Sequence, residues 1–240
     1  MASRFSFYDF LGYIIPGAFV TLLIMYTIGS IFGTLNQVFS YIGGLGETVI
    51  FLVISYLIGH LIQARGRQIE LKEKDKWGGY FSIQFLRKDN DFYTSDFKNI
   101  LKKQAKAQFG LPVDIRGDQN QEDKRHQEIF NLCYAFVIQK GISRQTDIFS
   151  AVYGMFRALL VIREIAIFLF SILTLYNVIN LVVIYNRYGW GWYQSESINL
   201  LVSSVLLAIS LVSNKYLSAR FQHFAQRFVG SIFQNFVAYN

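Results

Sequence analysis

The chain has 240 residues, of which 52% are hydrophobic, 17% are aromatic and only 16% are charged, and its formal net charge is +7. Soluble domains carry about 25% charged residues, so an ordinary soluble fold is excluded. Disorder is excluded as well, because the chain is too apolar. Two prolines and one cysteine rule out collagen-like, proline-rich and disulfide-stabilised classes. The composition therefore predicts a membrane protein.

Four runs without charged residues predict four membrane-spanning helices. Positions 10 to 46 contain no Asp, Glu, Lys or Arg, which predicts a first span over Phe10–Phe32 followed by a glycine-rich loop. Only Arg4 precedes this span and no cleavage motif follows it, so we expect it to be retained. The other predicted spans are 48–64, 165–185 and 198–214.

The basic residues indicate the orientation of the chain. The 65–164 segment holds 18 of them, the leader one and the tail after residue 214 three, whereas the two remaining loops hold only Arg187. Because cytoplasmic loops carry the excess of Lys and Arg in membrane proteins, we expect this segment and both termini to lie in the cytoplasm. Trp190, Trp192 and Tyr193 would then lie at the outer interface of the bilayer.

The expected fold is an all-α membrane protein with four transmembrane helices and a helical cytoplasmic domain inserted between helices 2 and 3. Residues 1–64 comprise the leader and the first two spans, and residues 65–157 form the cytoplasmic domain. Residues 158–214 comprise the last two spans, and residues 215–240 form a C-terminal amphipathic helix.

Local patterns predict the elements of the cytoplasmic domain. Residues 63–76 should extend the second span until Gly78 and Gly79 stop it, and an alternating run at 80–86 indicates a short strand. Ser95 should cap a helix that continues through Ala107 and ends at Gly110. A further helix is predicted at 121–140 with Gly141 as its end, and Ser143 should cap a helix that continues into the third span.

The C-terminal tail has apolar residues at steps of three or four, which is typical of an amphipathic helix. Two placements remain open, namely packing on the cytoplasmic domain or lying on the inner leaflet. The apolar residues are Leu217, Phe221, Phe224, Phe228, Ile232 and Phe236.

No catalytic or cofactor-binding motif occurs in the sequence. The three histidines belong to no HExxH, and a single cysteine cannot build a thiolate zinc cluster. P-loop, GxGxxG and GxSxG motifs are missing. We therefore expect no enzyme, no metal and no cofactor.

Polar residues inside the third and fourth spans have two interpretations. They either bond one helix to another or line a water-filled pore. No charged residue lies well inside a predicted span, which disfavours proton-coupled transport. The predicted pore-lining residues are Thr174, Asn177, Asn180, Ser203 and Ser210.

A basic cluster on the predicted helix at 95–107 indicates an anion-binding surface for lipid head groups, nucleotides or nucleic acid. A merely solvated helix face is the alternative. The predicted ligand-binding residues are Lys98, Lys102, Lys103, Lys106, Arg116 and Arg125.

Several short stretches resemble small multi-pass inner-membrane proteins of bacterial anti-phage systems. They are FYDFLGYIIPG at 7–17, SYLIGH at 55–60, NLCY at 131–134 and DIFSAVYGMFR at 147–157. The nearest similarity is to the channel-forming effector subunit of Hailong-type systems, with Kiwa-type and CRISPR-associated membrane proteins as alternatives. The Arg-x4–6-His pair of the nuclease-like CRISPR-associated branch is missing, because positions 53–55, 119–121 and 216–218 hold no Arg.

This resemblance implies a homo-oligomeric ion channel in the lipid bilayer, and a tetramer is the favoured assembly. A nucleotide or oligonucleotide signal, made by a soluble partner nucleotidyltransferase, would control it through the cytoplasmic domain. The expected function is gated conduction that depolarises an infected cell. The alternative is a non-conducting anchor that recruits a soluble partner protein to the inner leaflet.

Overall fold

The computed structural model describes residues 9–34, 44–113, 118–188 and 194–240, and within those ranges the chain is helical, with turns and loops but no strand. A π-helical turn at Phe10–Ile14 leads into α1. The helices are α1 (Ile15–Phe32), α2 (Leu45–Lys76), α3 (Phe81–Gln84), α4 (Ser95–Phe109), α5 (Gln119–Gln139), α6 (Arg144–Tyr188) and α7 (Gln194–Tyr239).

Four of these helices are long and apolar enough to cross a membrane, so the all-α fold with four spans is confirmed at that level. The first span covers Phe10–Phe32, as predicted. The charged extension of the second span is confirmed too, because α2 continues to Lys76. The helix that begins after Ser143 also continues through the third span without a break, because α6 is one element.

Three details of the predicted elements are wrong. Residues 80–86 contain the short helix α3 rather than a strand, because Phe81, Phe85 and Leu86 all point into one core. Thr94 caps α4 instead of Ser95, and its hydroxyl accepts the Phe97 N–H. The next helix starts at residue 119, because Asp118 supplies its N-terminal cap. The predicted helix ends at Gly110 and Gly141 are confirmed, since these glycines adopt the left-handed conformation with φ of 68° and 69°.

The chain divides into two compact units. We call Met1–Ile69 with Gly154–Arg220 the span unit, and Glu70–Tyr153 with Phe221–Asn240 the helical unit. Helices α2, α6 and α7 each contribute residues to both units. The C-terminal tail beyond residue 220 therefore belongs to the helical unit rather than standing alone.

Two glycines bring the first span, made of the π-helical turn and α1, into direct backbone contact with α2 within the span unit. A Cβ atom on Gly17 would lie 1.7 Å from the main-chain oxygen of Ser55, and one on Gly59 would lie 2.1 Å from that of Tyr13. Small residues at such crossings let membrane helices approach closely enough for extensive van der Waals contact. No other residue type fits at these two positions.

The core of the helical unit is aromatic. The last third of α7 contributes Ile232, Phe233 and Phe236, and none of these side chains is exposed. Cys133 is buried in the same core, and this burial raises the pKa of its thiol to about 12. The thiol therefore acts as packing and is not a nucleophile.

A salt bridge between Arg87 and Asp123 connects the loop that follows α3 to α5. The Arg87 guanidinium reaches both Asp123 carboxylate oxygens, with Nε–Oδ1 at 3.1 Å and Nη2–Oδ2 at 2.7 Å. These hydrogen bonds hold the pKa of Asp123 below its usual value.

Candidate functional site

A buried glutamine joins three helical segments at one end of the span unit. Gln63 on α2 is only 6% exposed, and its Nε2 donates to the carbonyl oxygens of Gly12 at 2.6 Å and Gly154 at 3.2 Å. Its Oε1 accepts from Arg157 Nε at 3.0 Å and Nη2 at 2.7 Å. All the polar atoms of Gln63 are therefore used in binding the π-helical turn, α2 and α6 together.

This junction was not predicted from the sequence. Gln63 lies at the edge of the apolar run 48–64, where a polar residue looks like the ordinary end of a span. Its partners lie 51, 91 and 94 residues away, which no local pattern connects. The only signal was an uncharged amide near the end of a predicted span, and such groups need partners in lipid.

A cavity of about 440 Å³ lies at the opposite end of the span unit. The last turns of α1 form one wall, while α6 and the start of α7 form the others. Hydroxyl and amide groups dominate its polar lining, and none of the described residues that line it is charged. The polar side chains are Tyr26, Ser30, Tyr176, Asn177, Asn180 and Asn199.

Two of the five predicted pore residues line this cavity, and one of them has a structural role as well. Asn177 is 4% exposed, and its Nδ2 donates to the Asn199 carbonyl at 3.2 Å and to Ser203 Oγ at 3.1 Å. It therefore bonds α6 to α7, as the helix-packing interpretation requires. Asn180 also lines the cavity.

The other three predicted pore residues are placed differently. Ser203 is buried between α6 and α7, and the Ser210 hydroxyl donates to the Leu206 carbonyl of its own helix. The Thr174 hydroxyl is buried and has no hydrogen-bond partner among the described residues. Tyr26, Ser30 and Tyr176 were missed, because tyrosine and serine in apolar helices do not stand out as a pattern.

The predicted ligand-binding residues separate into several groups. Lys103 and Lys106 are exposed on α4, and Lys102 is partly exposed. Lys98 is only 7% exposed, because its Nζ turns inward and donates to the Arg87 carbonyl at 2.8 Å and to the Asn90 carbonyl. Lys98 therefore stabilises the preceding loop instead of facing solvent.

The two arginines of that set do not extend the exposed lysine surface. Arg125 pairs with Glu128 at 2.9 Å on the same helix. Arg116 lies outside the described residues, as do Trp190, Trp192, Tyr193 and positions 35–43 of the glycine-rich loop.

No group of three or more His, Cys, Asp or Glu side chains is placed to hold a metal ion in the described part of the chain. The chain matches no family model, no curated protein and no solved structure. Function is therefore inferred from the cavity, the exposed charges and the helix connections.

Proposed function

We propose that the protein is a homo-oligomeric ion channel of the bacterial inner membrane. A nucleotide or oligonucleotide signal gates it through the helical unit, and opening depolarises the cell in anti-phage defence. The observation that carries this proposal is the polar cavity of about 440 Å³ among helices long enough to cross a membrane.

The chemistry of the cavity is what a conduction path needs. Hydroxyl and amide groups exposed to a membrane cavity require water or another polar partner, so a cavity of this size holds water. The described lining residues are uncharged, which lets ions pass without being trapped at a fixed opposite charge. A simple anchor needs apolar helices but no such cavity.

The helix connections support control from the helical unit. Helix α6 runs without a break from residue 144 to residue 188, so its first turns and its spanning part are one element. In a ring of identical subunits, the exposed Lys103 and Lys106 would be repeated around the axis and their potentials would sum. A polyanion bridging several subunits would gain avidity. It would gate the pore by binding open and closed states unequally.

One observation favours the non-conducting anchor instead. Asn177, the most buried of the predicted pore residues on α6, is bonded within the same chain to α7. Helix packing alone accounts for that amide. A current measurement separates the two functions.

The first prediction concerns Asn180, which lines the cavity. Asn180→Leu replaces a hydrated amide with an apolar side chain and favours loss of water from the cavity. We therefore expect the unitary conductance in planar bilayers to fall severalfold. The matched control is Val183→Leu, an exposed apolar position on the same helix, which should conduct like the wild type. If wild-type bilayers stay silent with and without oligonucleotides, the channel is wrong and the anchor is favoured.

The second prediction concerns the exposed lysines of α4. Lys103→Glu combined with Lys106→Glu should weaken binding of a labelled single-stranded oligonucleotide at least about tenfold, because two phosphate contacts become repulsive. Fluorescence anisotropy at two salt concentrations measures this, and wild-type affinity should fall steeply as salt rises. Lys72→Glu with Lys140→Glu, two other exposed lysines of the helical unit, serves as the control. Equal affinity in all three proteins would contradict the proposed signal surface.

A further inference from the structure

The exposed apolar surface of the span unit stops at a definite level on each helix. On α2 its last large member is Leu61, and on α6 its first is Phe168. On α7 it ends with Val212 and Tyr216. These residues mark the edge of the hydrocarbon region at the end of the unit that contains Gln63.

Basic side chains lie at that edge or directly beyond it. We define the basic rim as Arg65, Arg67, Arg163, Lys215 and Arg220, all within the span unit. Arg157 also lies at this level, but it is engaged with Gln63.

The acidic residues at this level leave much of the rim charge uncompensated. Glu164 follows Arg163 in the chain, yet its Oε2 accepts from Arg65 Nε at 3.3 Å and Nη2 at 3.1 Å. Its charge is therefore committed to Arg65 and not to its neighbour. Asp9 is the other acidic residue described at this end of the span unit, and Glu70 follows Arg67 by three residues on α2. The five rim cations therefore still outnumber the acidic side chains near them.

Arg163 is oriented for a ligand with two acceptors. Its Nε donates to the Ser210 carbonyl of α7 at 2.9 Å, which restrains the guanidinium group. Both terminal nitrogens remain without a partner among the described residues. A fixed guanidinium fork matches the paired oxygens of a phosphate better than a flexible ammonium does.

We propose that the basic rim binds the phosphate groups of anionic phospholipids, with Arg163 as the anchoring side chain and Lys215 as a second contact. The lipid tails would pack on the exposed apolar residues at the same edge, such as Phe168 and Val212. Long basic side chains at a bilayer edge reach the head-group layer while their stems stay on apolar surface. This inference requires that the chain spans a bilayer, but it does not require that the chain conducts ions.

The test measures lipid preference on the full chain. Delipidated protein in detergent is incubated with equal amounts of phosphatidylglycerol and phosphatidylcholine of identical acyl chains, and retained lipids are counted by native mass spectrometry. Each basic residue near a charged lipid contributes about a fivefold preference. We expect wild-type protein to favour phosphatidylglycerol at least about fivefold, and Arg163→Gln with Lys215→Gln to lower that ratio at least about fivefold relative to the wild type.

Two further variants make the result specific. Arg144→Gln with Lys88→Gln removes the same charge from exposed positions of the helical unit and should leave the preference unchanged. Arg163→Lys keeps the charge but loses the fork, so it should give an intermediate ratio. The Arg163→Lys variant also keeps the proposal testable if the double variant does not elute as a folded species.

Three outcomes would overturn the proposal. Wild-type protein could show no preference for phosphatidylglycerol, or the helical-unit control could lose as much preference as the rim variant. A preference that survives in both the rim variant and the lysine variant would also refute it. Free glycerol phosphate, added as a competitor, should not displace the lipid, because the tails contribute to binding.

Discussion

Gly17→Leu is expected to separate α1 from α2 and abolish the folded span unit. A Cβ atom at this position would lie 1.7 Å from the Ser55 carbonyl oxygen and 2.8 Å from the Gly59 nitrogen. Both obstacles are backbone atoms of a continuous helix, so no side-chain rotation can relieve them. We expect a loss of about 3 kcal/mol or more, at the upper end of overpacking effects.

The measurement is the thermal stability of the detergent-solubilised full chain, followed by size-exclusion chromatography after heating. Gly46→Leu is the matched control, because a Cβ atom there meets nothing within 4 Å. Gly59→Leu should reproduce the Gly17 result, since its Cβ atom would lie 2.1 Å from the Tyr13 carbonyl oxygen. If Gly17→Leu proves as stable as Gly46→Leu, the close crossing of α1 and α2 does not exist.

Phe233→Ala is expected to unfold much of the helical unit while leaving the spanning helices inserted. Phe233 on α7 is fully buried, and its ring meets Phe130 edge-on with centroids 5.8 Å apart. Removing a buried phenyl ring leaves a cavity and costs about 3–5 kcal/mol. That is a large share of the stability of a domain of this size.

Hydrogen exchange on the full chain would locate this effect. Protection should fall in peptides covering α5 and the last turns of α7, and protection of α1 should stay unchanged. Gln234→Ala is the control, because Gln234 is the exposed neighbour of Phe233 on the same helix and contributes nothing to the core. Equal protection in the two variants would mean that the tail of α7 is not part of this core.

The tail shows where pattern reasoning stops. Its apolar stripe predicted a helix, and Phe221, Ile232 and Phe236 of that stripe are indeed fully buried. The same stripe fitted a membrane surface equally well, because both environments reward one apolar face. Phe233 and Val229, outside the stripe, are also buried. Burial on more than one face requires partners on several sides, which here include α5 and the loop before α4.

Lysine and asparagine show the same limit at single residues. Lys98 shares a helix face with exposed lysines in sequence, but two carbonyls of the preceding loop bind its ammonium group. Asn177 and Asn180 are three positions apart on α6, yet among the described residues only Asn177 has acceptors from α7. Sequence spacing places such residues on a face and leaves their partners undetermined.

The sequence by itself determined the number of helices long enough to cross a membrane, the first span and most helix ends. These depend on charges, glycines and capping residues within a turn or two, and such interactions are local. Only the tertiary structure decided that residues 81–84 are helical, that Gln63 joins three segments and that Lys98 is buried. Each of those outcomes depends on groups brought together from distant positions, because a buried polar atom must find a partner wherever the fold supplies one.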